Sequence, residues 1–326
     1  MSKGKSPMEN QLEKIFKHTR AGSYGTRARY EHSCRNFVRY LGKHFKMKNL
    51  RNLQDKHQVS YIQYRQSQGM AAKTIKNDLV AIRYMHDLVS RAKHELSDNE
   101  GLKKKYAVVL EKTPAIKGDR AWTQEEYNQM QQLATEMAQK GGAGAATAKD
   151  AQDVMQLART MGLRVTEAVA MKRSQAEQAL RTGVYQVRGE AKNGKWREVP
   201  LSKAGKDLLQ QRLRKTSRGQ RLFIRPQEQT HEAVNRVEKF NSHHRHKVET
   251  TEGMIQRTWT KDGSTHVNEL TIHGLRYGYV QDRVQEERDK GFSLEQAAAR
   301  VTREVGHERI DVIRVYLGKG ENEDEE

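Results

Sequence analysis

Toward its C-terminal end the sequence sets out a group of side chains suited to phosphate chemistry. His273 and Arg276 stand three positions apart across Gly274 and Leu275, Gly306 and His307 follow, and Tyr316 comes nine residues after His307. Upstream, the run Gly162, Leu163, Arg164, Val165, Thr166, Glu167 supplies a further cation. Guanidinium groups match phosphate oxygens two at a time and stay charged at any working pH, so Arg164 and Arg276 suit stabilisation of a dianionic phosphorane. His273 suits a hydrogen bond to a non-bridging oxygen or help in taking a proton, and His307 suits similar work beside Tyr316. Tyr316 offers a phenol that could attack phosphorus and keep the bond energy in a phosphodiester for later resealing. Glu167, one helical turn after Arg164, suits orienting and buffering the cluster more than reacting.

Length and composition bound what such a cluster could serve. A chain of 326 residues is long for one compact domain, so two domains are expected. The net charge of +19 and sequence pI near 9.8 are what a protein that neutralises phosphates carries. The last six residues, Glu321 to Glu326, hold five acids and no Lys or Arg, so the rest is more basic than the total suggests. No apolar run approaches the roughly 20 residues of a spanning helix. No apolar segment follows the basic start either, so a cytoplasmic, nucleoid-associated protein is expected. One cysteine, Cys34, excludes an internal disulfide framework and a zinc site of several thiolates, and reads as a small buried apolar group.

The ordered set Arg164 to Tyr316 resembles the tyrosine recombinase (phage integrase) family. That family's signature is an arginine in a Gly-Leu-Arg-x-x-Glu helix, a hairpin lysine, a His-x-x-Arg box, a Gly-His pair and a nucleophilic tyrosine. The resemblance covers about the last two hundred residues. It implies a site of Arg164, Lys192, His273, Arg276, His307 and the nucleophile Tyr316, supported by Glu167, with no metal or nucleotide cofactor. The family protonates the departing sugar oxygen with its hairpin lysine. Lys192, just before Asn193 and Gly194, is the matching position, and Lys195 beyond that turn is the alternative. Tyr277 and Tyr279, rival phenols by type, read as supporting or core residues.

By the same resemblance, the partner is double-stranded DNA, cleaved through a covalent 3′-phosphotyrosyl intermediate. A homotetramer on two DNA sites is implied, with a monomer allowed when DNA is absent and an accessory bending or directionality factor allowed beside it. Leu275-Arg276-Tyr277 and the Tyr316-Leu317-Gly318 ending look like integrases of bacterial mobile elements. A Xer-like dimer resolvase, an invertase, a type IB topoisomerase and a catalytically inactive DNA-binding regulator of the same fold remain open. Many relatives dock an apolar C-terminal helix on a neighbouring subunit, and the acidic tail here offers no apolar stripe for that.

The elements that must position these groups are mainly helical with a small β-sheet. Residues 1–112 are expected to form a helical core-binding, SAM-like bundle, 113–120 a linker, and 121–326 the tyrosine recombinase catalytic domain. Ser6 and Glu9 fit a capping box with Pro7 at the first helical position, giving a helix to about His18. Apolar residues at steps of three and four predict a helix from about Arg27 to Phe45, a third ending near Gly69, and a fourth through Ile75, Leu79, Ile82 and Met85. Lys73, Lys76, Arg83, Lys103, Lys104, Lys105 and Lys195 are the candidate DNA contacts.

Thr123 and Glu126 form a second capping box. Lys140 to Lys149, rich in Gly and Ala, reads as a loop. Tyr185–Arg188 and Trp196–Pro200 read as two strands around the Asn193, Gly194 turn, and a helix follows from about Lys203 to Arg214. Residues 225–270 are long and polar, with a hairpin expected about Asp262 and Gly263. The cluster His243, His244, His246 reads as a solvated basic loop rather than a metal site, because no carboxylate or thiolate stands at a ligand spacing. An extended helix or an insertion is expected between Arg276 and His307.

Overall fold

The computed structural model describes residues 5–19, 22–111, 118–189, 196–261, 263–307 and 311–317. The chain divides into two compact units, Met1–Pro114 and Ala115–Glu326. The expected linker lies mostly outside the described residues.

The first unit is helical. Helix α1 (Pro7–His18) opens on the Ser6 and Glu9 capping box, and α2 (Tyr24–Phe45) opens on Ser23, whose hydroxyl accepts from the Thr26 amide. Helix α2 therefore starts three residues earlier than its apolar spacing suggests and takes in Gly25. Helices α3 (Asp55–Ser67) and α4 (Ala72–Asp87) follow, and α2 packs along α4. Met8, Leu12, Phe37, Leu41, Ile62, Leu79 and Ile82 fill the space between them. Buried Asp78 accepts from the Ser33 hydroxyl at 2.7 Å and pairs with Arg65 at 3.1 Å, joining three helices through one carboxylate. Cys34 is buried, with its thiol on the Ala81 carbonyl.

The four-helix expectation needs correction. A fifth helix, α5 (Asn99–Tyr106), lies where the sequence shows weak periodicity. It is two turns long and buries only Leu102, too little for a repeating apolar face, and is set by the Asp98 cap on the Gly101 amide.

The second unit is built on α7 (Ala145–Met161), which packs against α6 (Gln124–Lys140), α10 (Lys203–Leu213), α11 (Thr230–His244) and α13 (Ile272–Asp289). Here too an expectation fails: Ala145 to Lys149, read as loop, are the first turns of α7. Alanine is the best helix former and Ala148 is buried, so only residues 141–144 connect α6 to α7. Short helices α8 (Val165–Val169) and α9 (Arg173–Thr182) lead into strands β1 (Val184–Val187) and β2 (Arg197–Pro200). These pair antiparallel, with Tyr185 opposite Val199 and Val187 opposite Arg197. The turn between them lies outside the described residues, so Lys192 and Lys195 do too.

The histidine run also departs from expectation. His243 and His244 end α11, whose buried Ala233, Val237, Phe240 and His244 recur at helical steps, and His246 lies in the short 3₁₀ turn after it. Among the described residues no three His, Cys, Asp or Glu side chains gather as a metal site would need. Helix α12 (Thr251–Gln256) and the hairpin of β3 (Thr258–Lys261) and β4 (Ser264–Val267) precede α13, and Trp259 stacks on His266 across the pair. Helices α14 (Leu294–Glu304) and α15 (Asp311–Leu317) close the described chain. No helix among the described residues is long and apolar enough to cross a membrane.

One ion pair fixes α12 and β3 to α6. Glu126 and Arg257 are both fully buried and meet at 2.6 Å; Glu126 also accepts from the Thr123 and Thr250 amides, and Arg257 Nε donates to the Asn268 carbonyl. Gly253 lies against the carboxylate, where any Cβ would collide with it. Removing one partner strands the other charge, so Arg257→Met is expected to lower the stability of this unit by about 3–5 kcal/mol. Denaturant unfolding followed by tryptophan fluorescence measures it, and an unchanged midpoint would mean that Glu126 finds a replacement donor.

Candidate active site

The site begins where α7 stops. Gly162 takes φ +59°, a left-handed value that glycine adopts without strain, and the Tyr279 ring occupies the space a Cβ would need. The chain turns through buried Leu163 and sets Arg164 at the start of α8. Glu167, three residues on, accepts from the Arg164 amide at 2.8 Å and from its guanidinium at 2.7 Å. Its remaining acceptor positions are taken by Arg197 of β2, at 2.8 and 2.5 Å. Burial pushes the Glu167 carboxyl up, but the two bonds and charge of Arg197, then the charge of Arg164, override it and bring its pKa down to about 2.

Helix α13 contributes the His-x-x-Arg pair. Thr271 caps it by accepting from the Gly274 amide, and Gly274 has no side chain because the Arg120 carbonyl and the Trp122 indole lie against it. A spacing of three brings His273 and Arg276 to one face. Arg276 is 0% exposed. Its guanidinium donates to the Gly162 and Val305 carbonyls, and its Nε lies 3.4 Å from the Tyr316 hydroxyl. Burial lowers its pKa to about 10, so it remains a cation at neutral pH. His273 stands exposed at the mouth of this concave region. Desolvation by the surrounding walls, then the charges of Arg276, Arg164 and Arg120, push its pKa to about 4.

The nucleophile candidate comes last. Gly306 at φ +67° turns the chain out of α14, and a Cβ there would meet Arg197 Cδ at 2.8 Å. The His307 amide closes this turn on the Thr302 carbonyl. Tyr316, only 4% exposed on α15, has its hydroxyl 2.9 Å from His307 Nε2. Its ring packs on Tyr277 at 4.5 Å, and its carbonyl accepts from Gln281 Nε2 at 2.9 Å. Arg164, Glu167, His273, Arg276, His307 and Tyr316, spread over more than 150 positions, therefore meet in one place within a single chain.

Family models give this constellation its context. The model described as phage integrase, N-terminal, matches residues 5–94, and that of the phage integrase family matches residues 120–322. The chain belongs to the phage integrase family. Among solved structures, this integrase-family chain is similar to the XerH site-specific recombinase bound to its difH substrate, with TM-score 0.57, 18% identity, and 94% of this chain and 80% of that one covered. It is also similar to the Tn1549 transposon integrase in complex with transposon right end DNA, with TM-score 0.54, 12% identity, and 96% and 95% covered. At these identities the likeness shows the fold. No curated protein matches the sequence.

Two residues of this integrase-family site were not singled out from the sequence. Arg197 is one, and a signal existed: the alternation that buries Val199 of β2 also buries residue 197. Arg120 is the other; nothing in its local pattern marks it. Tyr277 and Tyr279 are buried, and Tyr279 donates to Glu304 at 2.9 Å, as their reading as supporting residues requires. Of the candidate DNA contacts in the first unit, Lys73, Lys103, Lys104 and Lys105 are exposed. Lys76 donates to the Glu111 carbonyl, Lys105 to Ser97, and Arg83 to the Ser97 carbonyl and Asn99. The Arg83 and Lys105 bonds hold the segment that leads into α5, and the Lys76 bond holds the segment that follows it.

A cavity of about 400 Å3 opens beside Arg164 and His273, walled by Glu238, Asn241, Arg245 and Thr271. A larger one of about 890 Å3 lies along α11, away from every motif residue. Because the surrounding walls desolvate the ring and the nearby arginines disfavour a further cation beside them, His273 is neutral at neutral pH. Its ring resonances are expected to titrate with a midpoint near 4 instead of 6.5. NMR pH titration measures this, and a midpoint at 6 or above would show that neither the walls nor the guanidinium groups press on the ring. The sign for stability follows: the unfolded state takes up this proton first, so stability falls as pH drops from about 6.5 to about 4.

Proposed function

We propose that this integrase-family protein is a site-specific DNA recombinase that breaks and rejoins strands through Tyr316, serving integration and excision of a bacterial mobile element. The observation that carries the reading is the Tyr316 hydroxyl within reach of both His307 Nε2 and Arg276 Nε, in the same pocket as Arg164. A phenol at that point needs no partner subunit to reach the cations. The XerH and Tn1549 neighbours, both solved with DNA, favour duplex DNA as the substrate.

In the proposed reaction a backbone phosphate enters against Arg164, Arg276 and His273. A guanidinium has five N–H donors. On fully buried Arg276 three are engaged by Gly162, Val305 and Tyr316, so it acts on the phosphate through its charge, and on partly open Arg164 two are engaged, leaving three for a non-bridging oxygen. The phenol oxygen attacks phosphorus, its proton passing to His307, the nearest base. The P–O bond to tyrosine forms as the bond to the 5′-oxygen breaks, and that oxygen leaves with a proton from the hairpin lysine, Lys192 or Lys195 by the family pattern. Attack by a 5′-hydroxyl of a second strand reverses these steps and restores the phenol. One phosphodiester replaces another, so no nucleotide cofactor is consumed. Exposed Lys73, Lys103 and Lys104 would supply backbone contacts from the first unit. Four subunits on two DNA sites would complete the exchange.

The test is a duplex selected by the protein from a random library and nicked beside the cleavage point, so that the departing fragment diffuses away. A protein–DNA adduct stable to denaturation is expected, absent in Tyr316→Phe. Arg164→Ala and Arg276→Ala are each expected to form it about 10²–10³-fold more slowly. Binding without any adduct would leave a DNA-binding regulator, and relaxation of supercoiled plasmid without site preference would point to a topoisomerase.

A further inference from the structure

Arg197 has no role in the reaction just described, yet it is a buried cation with every donor direction directed at the site. Its two terminal nitrogens hold both oxygens of Glu167, and its Nε donates to the Glu304 carbonyl at 2.9 Å. Glu304 lies immediately before Val305, whose carbonyl accepts from Arg276 and Arg164, and three residues before His307. The Arg197 stem also lies against Gly306, so closely that a Cβ there would meet it. Strand β2, the turn that carries Arg164 and the turn that carries His307 are thus fastened through one guanidinium.

The charges give the fastening a chemical consequence. Among the described residues, Arg164, Arg197 and Arg276 face a single buried carboxylate, Glu167. With Arg197 present, Glu167 is shared, and among the described residues two positive charges stay uncompensated to meet a dianionic phosphorane. Without it, Glu167 would have Arg164 as its only partner and would neutralise the cation the phosphate needs.

We infer that Arg197 is a positioning residue for strand cleavage: it occupies Glu167 so that the charge of Arg164 remains available to the phosphate, and it fixes the 304–307 turn so that His307 meets Tyr316. The inference rests on the recombinase reading above and deepens it.

Single-turnover adduct formation on the nicked duplex tests it, with either a normal phosphodiester or a methylphosphonate at the cleavage point. A methylphosphonate lacks one non-bridging oxygen and its charge, and so needs less cationic help. Arg197→Met is expected to slow cleavage of the phosphodiester roughly 100-fold, the order of loss a small misplacement causes, while DNA affinity stays within about threefold. The methylphosphonate is expected to lose no more than about tenfold. Arg197→Met leaves Glu167 half-paired and could fold poorly, so Arg197→Met/Glu167→Gln, which removes both charges, carries the decisive comparison. It is expected to recover at least about tenfold on the phosphodiester relative to Arg197→Met, or, where that variant does not fold, to cleave within about tenfold of the wild type.

Equal losses on the two substrates with no recovery in the double variant would reduce Arg197 to holding the fold, and an unchanged rate in Arg197→Met would remove it from the reaction. Failure of the wild-type protein to form any adduct would instead overturn the recombinase reading, so the two failures are told apart.

Discussion

The burial of the Arg276 guanidinium is the constraint on which the rest of the site depends. Taking a cation out of water costs several kcal/mol even after relaxation, and the cost is offset only where its donors find acceptors. Arg276 finds two main-chain carbonyls, at Gly162 and Val305, from stretches that lie far apart in the chain. Those carbonyls face it because the chain reverses direction at each place, through Gly162 with φ +59° and through Gly306 with φ +67°. The glycines of the two motifs therefore have the same explanation. Each lets a helix end in a left-handed turn at a point where a neighbouring side chain, Tyr279 or Arg197, leaves no room for a Cβ.

Cations crowd this pocket, and among the described residues its one buried carboxylate, Glu167, is engaged by two of them. Such an excess is tolerated because Arg164 remains partly open to solvent and because His273 gives up its proton instead of adding another charge. A group with three anionic or partly anionic oxygens is the natural counterpart, since it would relieve repulsion among groups already fixed in place. Preorganisation of this kind lowers the barrier without reorganisation at the moment of reaction.

Much of this arrangement is legible in the sequence, for reasons that are local. The capping boxes at Ser6 and Thr123 each depend on a residue three positions on, and His273 with Arg276 needs only one helical turn to share a face. Of the seven residues that the ordered motifs name, the fold gathers six, and the seventh, Lys192, lies outside the described residues. What stays hidden is non-local. Glu126 and Arg257 are separated by 131 positions, and neither looks unlike a surface charge until both are seen buried. Arg197 stands between exposed Trp196 and exposed Glu198 and reads as one more basic residue of a hairpin. Helix α5 is missed because a two-turn helix with one buried residue has no period to detect. The loop expected at 140–149 shrinks because alanines fit a helix as readily as a flexible linker, and only burial against α6 decides between them.

The position of Tyr316 rests on a smaller assembly than that of the arginines. The main core of the second unit gathers around α7, whereas Tyr316 and Ile313 belong to a separate cluster with Tyr277, Val280, Val284, Ala297 and Val301 from α13 and α14. Beyond that packing, α15 is held by the Gln281 bond to the Tyr316 carbonyl, and Gln281 is itself steadied by Asp119. Local stability follows the number of buried contacts, so displacing α15 requires giving up buried Ile313 and Tyr316, half-buried Val312, Val315 and Leu317, and a few hydrogen bonds, but not opening the core around α7. Arg276, by contrast, cannot leave without exposing the carbonyls at the ends of α7 and α14. The arginine half of the site is therefore built into the fold, and the Tyr316 hydroxyl is held against it by an edge with fewer buried contacts. That division suits a reaction in which the nucleophile must be placed, spent on a bond and then recovered while the cations stay where they are.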